Sequence, residues 1–87
     1  LGQIFRLDVA GPADRLQLFF ESTSPDQFNY GDNLTIAPWG DLIVCEDQYT
    51  DVVDNHLRGI APSGVAYPLA RLHVQTEWAG ACFSPDG

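Results

Sequence analysis

The chain has 87 residues, of which 45% are hydrophobic, a size that allows one small domain and no second one. Twelve acidic residues outnumber four basic ones, and the formal net charge of −8 gives a surface that repels phosphate backbones and anionic membranes. We therefore expect no nucleic-acid partner. No apolar run approaches the roughly 18 residues that a membrane helix needs, so we also expect no membrane span.

Seven short stretches carry the signals of β-strands, and none shows helical periodicity. The first two alternate apolar and polar side chains and are joined by a Gly-Pro loop, so we expect them to form an antiparallel hairpin. The third and fourth flank residues 38–41, whose proline and glycine predict a reversing turn. The sequence predicts an all-β fold, with strands at residues 1–9, 15–21, 34–37, 42–45, 56–60, 65–71 and 77–83.

The chain repeats itself at an interval in the forties. Pro38 and Gly40 recur as Pro85 and Gly87 (85 − 38 = 47), and the first hairpin lines up with residues 57–70 at a similar offset. Four short strands in a repeat of this length are typical of a β-propeller blade. We therefore predict a β-propeller fragment: the last two strands of one blade, one whole blade and the first strand of a third. A small seven-stranded β-sandwich is the alternative.

The end of the sequence suggests that more chain belongs to this fold. Residues 84–87 form a turn sequence that normally leads into another strand, and the chain contains no Met. We therefore expect residues 1–87 to form a single β domain that is part of a longer chain. Such a fragment exposes unpaired strand edges, so we also predict self-association of copies through these edges.

Oxygen-bearing side chains stand just before the first strand of successive predicted repeats, where propellers place functional groups. Asp32 and Asn33 occupy this place in one repeat, and Glu77 occupies it in the next. Their oxygens are hard ligands of the kind that Ca²⁺ prefers, so we predict that these residues contribute to a metal site. The alternative for Asp32 or Asn33 is a side chain that caps a turn.

Glu46 and Asp47 close the fourth predicted strand and, as neighbours on a strand, are expected to point to opposite faces. Glu46 shares the phase of the apolar residues Leu42 and Val44, so we expect it on a packed face. A buried carboxylate there needs a cation or hydrogen bonds, which makes Glu46 a further candidate metal ligand. Asp47 is expected to face solvent.

The cysteines and histidines form no recognisable catalytic or metal-binding pattern. Cys45 and Cys82 both lie in apolar strand-like runs, where a packed free thiol is more common than a disulfide. No Cys or His stands at a short metal-ligand spacing from Cys45, which argues against a soft-ligand site. His56 and His73 stand apart, and the order of residues supports no Ser-His-Asp triad.

Three stretches of the chain carry a resemblance to a known family. They are residues 32–47 (DNLTIAPWGDLIVCED), 55–60 (NHLRGI) and 77–87 (EWAGACFSPDG). They resemble successive motifs of the PhoX-type alkaline phosphatase family, and the similarity spans about residue 27 to the C-terminus. Members of this family are exported bacterial β-propeller proteins, and characterised ones hydrolyse phosphate esters with calcium and iron. The resemblance therefore implies the later part of such a propeller, in a periplasmic or secreted protein.

The resemblance also bears on individual residues. Glu77 falls on the acidic position that precedes the Gly and Ser-Pro-Asp-Gly pattern, which implies a role as metal ligand. Asp32, Asn33 and Glu46 match motif positions without an individual role. The phosphatases carry an arginine suited to phosphate two residues before the glutamate, and Gln75 stands there in this sequence. The cysteine-bearing motif that binds iron in the family is not evident.

Two hypotheses from different classes follow. In the first, the chain is part of a metal-dependent phosphomonoesterase, in which Ca²⁺ held partly by Glu77 neutralises and positions the phosphate ester. The 87-residue chain alone is then expected to be inactive. In the second, the chain belongs to an uncharacterised β-propeller that acts as a scaffold or binding segment without phosphatase activity, which the departure at Gln75 favours. A lactonase-like propeller hydrolase is a third hypothesis.

Overall fold

The structure is a computed structural model that describes residues 2–9, 11–49 and 54–87. In this part of the chain six strands form two antiparallel sheets without any helix, which confirms the predicted all-β fold. The same residues accordingly contain no helix that could cross a membrane. The strands are β1 (Gln3–Asp8), β2 (Arg15–Glu21), β3 (Gly31–Ile36), β4 (Leu42–Glu46), β5 (His56–Ile60) and β6 (Ala66–Arg71).

The second sheet is a four-stranded antiparallel meander in the order β3-β4-β5-β6, which is the arrangement of a propeller blade. It corresponds to the whole blade predicted from the sequence. β5 has the predicted bounds, and the bounds of the other three strands differ by one to three residues. The first sheet is the β1-β2 hairpin, which matches the last two strands of a preceding blade. The fold is that of a β-propeller fragment.

Three turns share one geometry, which supports the repeat seen in the sequence. In each turn a proline follows the first residue, and the amide of a glycine in fourth place donates to the first residue's carbonyl at 2.8–3.0 Å. The glycines have φ angles of 97°, 90° and 101°, in the region where a side chain would be strained. The turns begin at Ala37, Ala61 and Ser84, and their glycines are Gly40, Gly64 and Gly87.

The hydrophobic core lies where the hairpin packs on the blade. Phe20 of β2 and Phe28, which precedes β3, are buried there together with Val44 of β4 and Ile60 of β5. The ring centroids of Phe20 and Phe28 are 5.5 Å apart, a distance at which aromatic pairs attract. The core therefore fixes the segment that leads into β3.

The prediction of a seventh strand at residues 77–83 is wrong, because the structure assigns no strand there. A strand needs a ladder of hydrogen bonds to a neighbour. Here the bonds to the blade are isolated: the Trp78 amide donates to the Glu46 carbonyl at 3.2 Å. The Gly80 amide donates to Asn33 Oδ1, also at 3.2 Å. The segment is thus attached to the blade without extending the sheet.

One face of the hairpin is apolar and exposed. Phe5 lies opposite Leu18 and Leu7 opposite Leu16 in the β1-β2 register. These four residues are between 47% and 70% exposed. A contiguous apolar face of this kind is typical of a surface that another element covers. The structure contains a single chain, so the self-association of copies through strand edges stays a prediction.

Gly59 of β5 leaves room for Tyr67, its partner on β6. A Cβ at position 59 would overlap the Tyr67 ring, whose hydroxyl donates to the Asp41 carboxylate. We predict that Gly59→Ala lowers the free energy of unfolding by about 1–3 kcal/mol, the usual effect of overpacking. Urea unfolding measures the change. Gly59→Ala should have a much smaller effect when it is made in the Tyr67→Ala variant. An equal loss of stability in that background would contradict this explanation.

Candidate metal centre

Three carboxylates converge at one end of the blade. Asp32, Asp47 and Glu77 each place an oxygen within 4.8 Å of the other two. Asp32 lies near the start of β3 and Asp47 directly after β4, and because these strands are antiparallel both residues stand at the same end of the sheet. Glu77 reaches this end from the segment that follows the blade. The structure therefore brings together two of the predicted ligands, Asp32 and Glu77, and adds Asp47.

A β-bulge sets the position of Asp32. The pairing of β3 with β4 shifts between Gly31 and Asn33, so Asp32 stands as an extra residue in the strand. Bulges change the direction of a side chain and are frequent beside functional sites. Gly31 fits this place because a Cβ there would approach the side chains of Phe28 and Val44 to 3.0 Å. The local sequence thus directs Asp32 away from the regular alternation of the strand.

Backbone hydrogen bonds hold the segments of Asp47 and Glu77 together. The Asp47 amide donates to the carbonyl of Tyr30 at 2.9 Å, which ties it to the residue before β3. The amide of Trp78, the residue after Glu77, donates to the carbonyl of Glu46, the residue before Asp47, at 3.2 Å. These bonds between neighbours bring the two carboxylates within reach of each other.

The negative charges of the cluster act on its titratable groups. The pKa of Glu77 is raised above its ordinary value, first by the charge of Asp47 and then by desolvation, by a hydrogen bond with Asp47 and by the charge of Asp32. The pKa of the Tyr49 phenol is also raised, mainly by the charges of Asp47 and Glu77. Carboxylates that crowd in this way favour the binding of a proton or a cation.

One carboxylate oxygen of Asp47 has unused bonding capacity. Asp47 Oδ1 is buried, and within the described residues it accepts no hydrogen bond. A buried carboxylate oxygen without a donor is unfavourable unless a ligand compensates it. The expectation that Asp47 faces solvent holds only in part, because the residue is half-buried and its Oδ1 is fully buried.

The donor set consists of anionic oxygens, which suit a hard divalent cation better than a soft one. Ca²⁺ binds oxygens at about 2.3–2.6 Å, so two ligands on opposite sides of one ion stand roughly 5 Å apart. Three oxygens that lie within 4.8 Å of one another are compatible with a single shared ion. Because Ca²⁺ takes about six to eight oxygens, three carboxylates leave positions for water or substrate oxygens.

Glu46 is buried and is neutralised by a cation of the protein itself. Its Oε2 lies 3.2 Å from Arg58 Nε and accepts the Asn29 amide at 2.7 Å. Its Oε1 accepts the His56 amide at 2.7 Å. The prediction that Glu46 lies on a packed face is confirmed. The guanidinium and the two backbone amides compensate the buried carboxylate, which is the role for which a metal was considered. Glu46 is not among the carboxylates that the structure brings within 4.8 Å of one another.

Asn33 and Gln75 contact the loops around the cluster. Asn33 Oδ1 accepts the Gly80 amide at 3.2 Å, which fixes the segment after Glu77. Gln75 Nε2 donates to the carbonyl of Gln48 at 2.9 Å. Asn33 therefore has a structural contact beside the cluster, and its role as a metal ligand stays a prediction.

Both cysteines are free thiols, as predicted. Cys45 is buried in β4, but Cys82 is exposed, so the packing expected of Cys82 is wrong. The reason is that its segment does not join the sheet, so Cys82 is not held on a packed sheet face. Neither cysteine belongs to the group of candidate metal ligands found in the described residues.

The sequence match covers nearly the whole chain. A family model described as alkaline phosphatase PhoX matches residues 2–87. The chain belongs to the PhoX alkaline phosphatase family. No curated protein and no solved structure matches the chain significantly. The match confirms the resemblance drawn from the motifs of residues 32–87 and extends it through the first hairpin.

Sequence reasoning did not select Asp47 as a ligand, and it missed two residues beside the carboxylates of this PhoX family chain. These are Tyr49, whose pKa the carboxylates raise, and Asn55, which forms hydrogen bonds with Gln48 and Thr76. The place of Asp47 at a strand end, on the same side as Asp32, was a usable signal. Tyr49 carries no sequence signal that separates it from an ordinary loop residue. Asn55 is only 2% exposed, and such burial of an asparagine in a polar stretch cannot be inferred from a single sequence.

Proposed function

We propose that this chain is part of a calcium-dependent phosphomonoesterase and supplies one of its cation sites through Asp32, Asp47 and Glu77. The observation that carries the proposal is the convergence of these three carboxylates within 4.8 Å. Asp47 Oδ1, which is buried and accepts no hydrogen bond from the residues that the structure describes, supports it, because the Asp47 carboxylate keeps bonding capacity that a cation can use. Membership of the PhoX alkaline phosphatase family supports phosphate esters as substrates and a periplasmic or secreted location.

A bound Ca²⁺ supplies positive charge that offsets the charge of a phosphate group. The protein's residues determine where that charge lies: Asp32 from a bulge, Asp47 from the end of β4 and Glu77 from the following segment. Asp32 and Glu77 are exposed, so the cluster is accessible from solvent. The chain's net charge of −8 repels an anionic ester, and we therefore expect substrate binding to require the cation.

The proposal includes a larger protein than residues 1–87. Propellers close with about four to eight blades, whereas the described residues supply one blade and a hairpin. In the larger ring a neighbouring blade covers the exposed apolar face of the hairpin that includes Phe5 and Leu16. The iron ligands of the family and the remaining catalytic groups are expected on other blades.

The test is a Ca²⁺ titration of the full-length protein, read by hydrolysis of p-nitrophenyl phosphate. We expect turnover that saturates with Ca²⁺, stops when a calcium-selective chelator is added and returns when Ca²⁺ is restored in excess. Mg²⁺ at the same concentrations is the control for general ionic effects. Absence of Ca²⁺ binding, or turnover that is indifferent to the chelator, would contradict the proposal.

Gln75 favours a second candidate function, a metal-binding propeller segment without phosphatase activity. A neutral amide cannot supply the charge of the arginine that the resemblance places there, and this amide is engaged with the Gln48 carbonyl. This alternative predicts Ca²⁺ binding by calorimetry without turnover of any phosphomonoester. Hydrolysis of lactones in the same assay format would instead support a lactonase-like activity.

A further inference from the structure

One buried amide joins the two backbone segments that carry Asp47 and Glu77. Asn55, just before β5, is only 2% exposed. Its Oδ1 accepts the amide of Gln48 at 2.7 Å, and its Nδ2 donates to the carbonyl of the same residue at 3.1 Å. Its Nδ2 also donates to the carbonyl of Thr76 at 2.7 Å. Both N–H groups of the side chain are therefore used to connect segments that are distant in sequence.

These contacts fall directly beside the acidic cluster. Gln48 follows Asp47, and Thr76 precedes Glu77, so the side chain of Asn55 fixes the backbone next to two of the three carboxylates. The backbone carbonyl of Asn55 also accepts the indole N–H of the residue after Glu77 at 3.2 Å. Glu77 is thus held through both of its neighbours by one residue.

We infer that Asn55 is the positioning residue of the cluster: it clamps the two segments so that Asp47 and Glu77 stay close enough to share one cation. The inference rests on the proposed function. Like charges at this separation repel each other, and without a clamp the loops relax and the carboxylates move apart. Loss of outer-shell partners that orient metal ligands lowers metal affinity by about 10–100-fold.

The experiment uses the full-length protein and Tb³⁺, an ion that takes the oxygen ligands of Ca²⁺ and luminesces when a nearby tryptophan is excited. Trp78, next to Glu77, is the expected sensitiser. We expect Asn55→Ala to bind Tb³⁺, and Ca²⁺ in competition with it, about 10–100-fold more weakly than the wild type.

Ser22→Ala is the matched control. Ser22 is also buried, 3% exposed, and its hydroxyl donates to the Phe28 carbonyl at 2.7 Å, so its removal also breaks a buried hydrogen bond. This bond joins no neighbour of Asp47 or Glu77. The control should lose thermal stability, measured by circular dichroism, and keep its metal affinity.

The outcomes separate the two claims. Unchanged affinity in Asn55→Ala, with normal binding by the wild type, overturns the inference alone. An equal loss of affinity in Ser22→Ala also overturns it, because general destabilisation then explains both variants. Absence of Tb³⁺ and Ca²⁺ binding in the wild type overturns the proposed function and this inference with it.

If Asn55→Ala does not fold, the wild type supplies the test. Coupling between two interactions is reciprocal. If the hydrogen bonds of the Asn55 side chain favour metal binding, metal binding in turn stabilises these hydrogen bonds. We expect Ca²⁺ to slow hydrogen exchange of the Gln48 amide, which donates to Asn55, by about tenfold or more. The Gly64 amide, in the turn between β5 and β6, should not respond. Equal responses at the two amides, or none at Gln48, overturn the inference.

Discussion

Replacing Glu77 with Gln is expected to abolish calcium-dependent phosphatase activity and to weaken Ca²⁺ binding by at least about 100-fold, beyond the usual effect of losing an outer-shell partner. The substitution removes one of three anionic ligands in the cluster. It also removes the repulsion by which Asp47 raises the pKa of Glu77. The chelated variant should therefore be as stable as the chelated wild type, or more stable.

A variant that loses activity while its stability stays the same or rises is typical of a substitution in a functional site. Glu21→Gln is the matched control, since Glu21 is an exposed glutamate on β2 that accepts a hydrogen bond from Gln3. Hydrolysis of p-nitrophenyl phosphate, calorimetry of Ca²⁺ binding and thermal unfolding in chelator are the measurements. A fully active Glu77→Gln protein would show that the metal site lies elsewhere.

Arg58→Met is expected to lower the free energy of unfolding by about 3–5 kcal/mol, because it removes the guanidinium that pairs with the buried Glu46 carboxylate. Glu46 and Arg58 are 1% and 5% exposed. The guanidinium also donates to the carbonyls of Pro25 and Asp26 at 3.1 and 3.0 Å, so it ties the blade to the loop after β2. Urea unfolding measures the loss as a lower midpoint at unchanged slope.

A double variant separates the charge from the other contacts of Arg58. Glu46→Gln in the Arg58→Met background removes the unpaired charge and should recover part of the lost stability. The recovery is partial because the amide cannot accept hydrogen bonds on both sides, as Glu46 does from the amides of Asn29 and His56. If the double variant is less stable than Arg58→Met, the buried charge is not the cause.

The blade was predictable because its signals are local. Residues 38–41 and 61–64 carry proline and glycine where the turns need them, and both turns form. The apolar residues 42–45 after the first turn account for β4, and β5 before the second turn has the predicted bounds. Residues 77–83 carry a similar apolar pattern but form no strand, because a strand also depends on a neighbour that can complete its hydrogen-bond ladder.

The site was predictable only where the repeat placed residues in equivalent positions. Asp32 and Glu77 were found in this way. Asp47 was not selected because alternation assigned it to the face opposite Glu46, and the segment that carries Glu77 lies far along the chain. The position of Glu46 in the alternation of β4 predicted that its buried carboxylate needs a compensating partner. The identity of that partner, Arg58 on the neighbouring strand, depends on the register of β4 with β5. The role of Asn55 depends on three loops that meet in the fold, and no local sequence pattern reveals such a meeting.

The hydrogen bond from Gly80 to Asn33 joins residues 47 positions apart, so the two sides of the metal centre come from successive repeats. On the proposed function, a cation there is a removable cross-link that binds only after both repeats have folded and come together. An ion at 100 times its Kd adds about 2.7 kcal/mol to the stability of the state that binds it. On this proposal, calcium would strengthen the contact between adjacent repeats as well as bind phosphate.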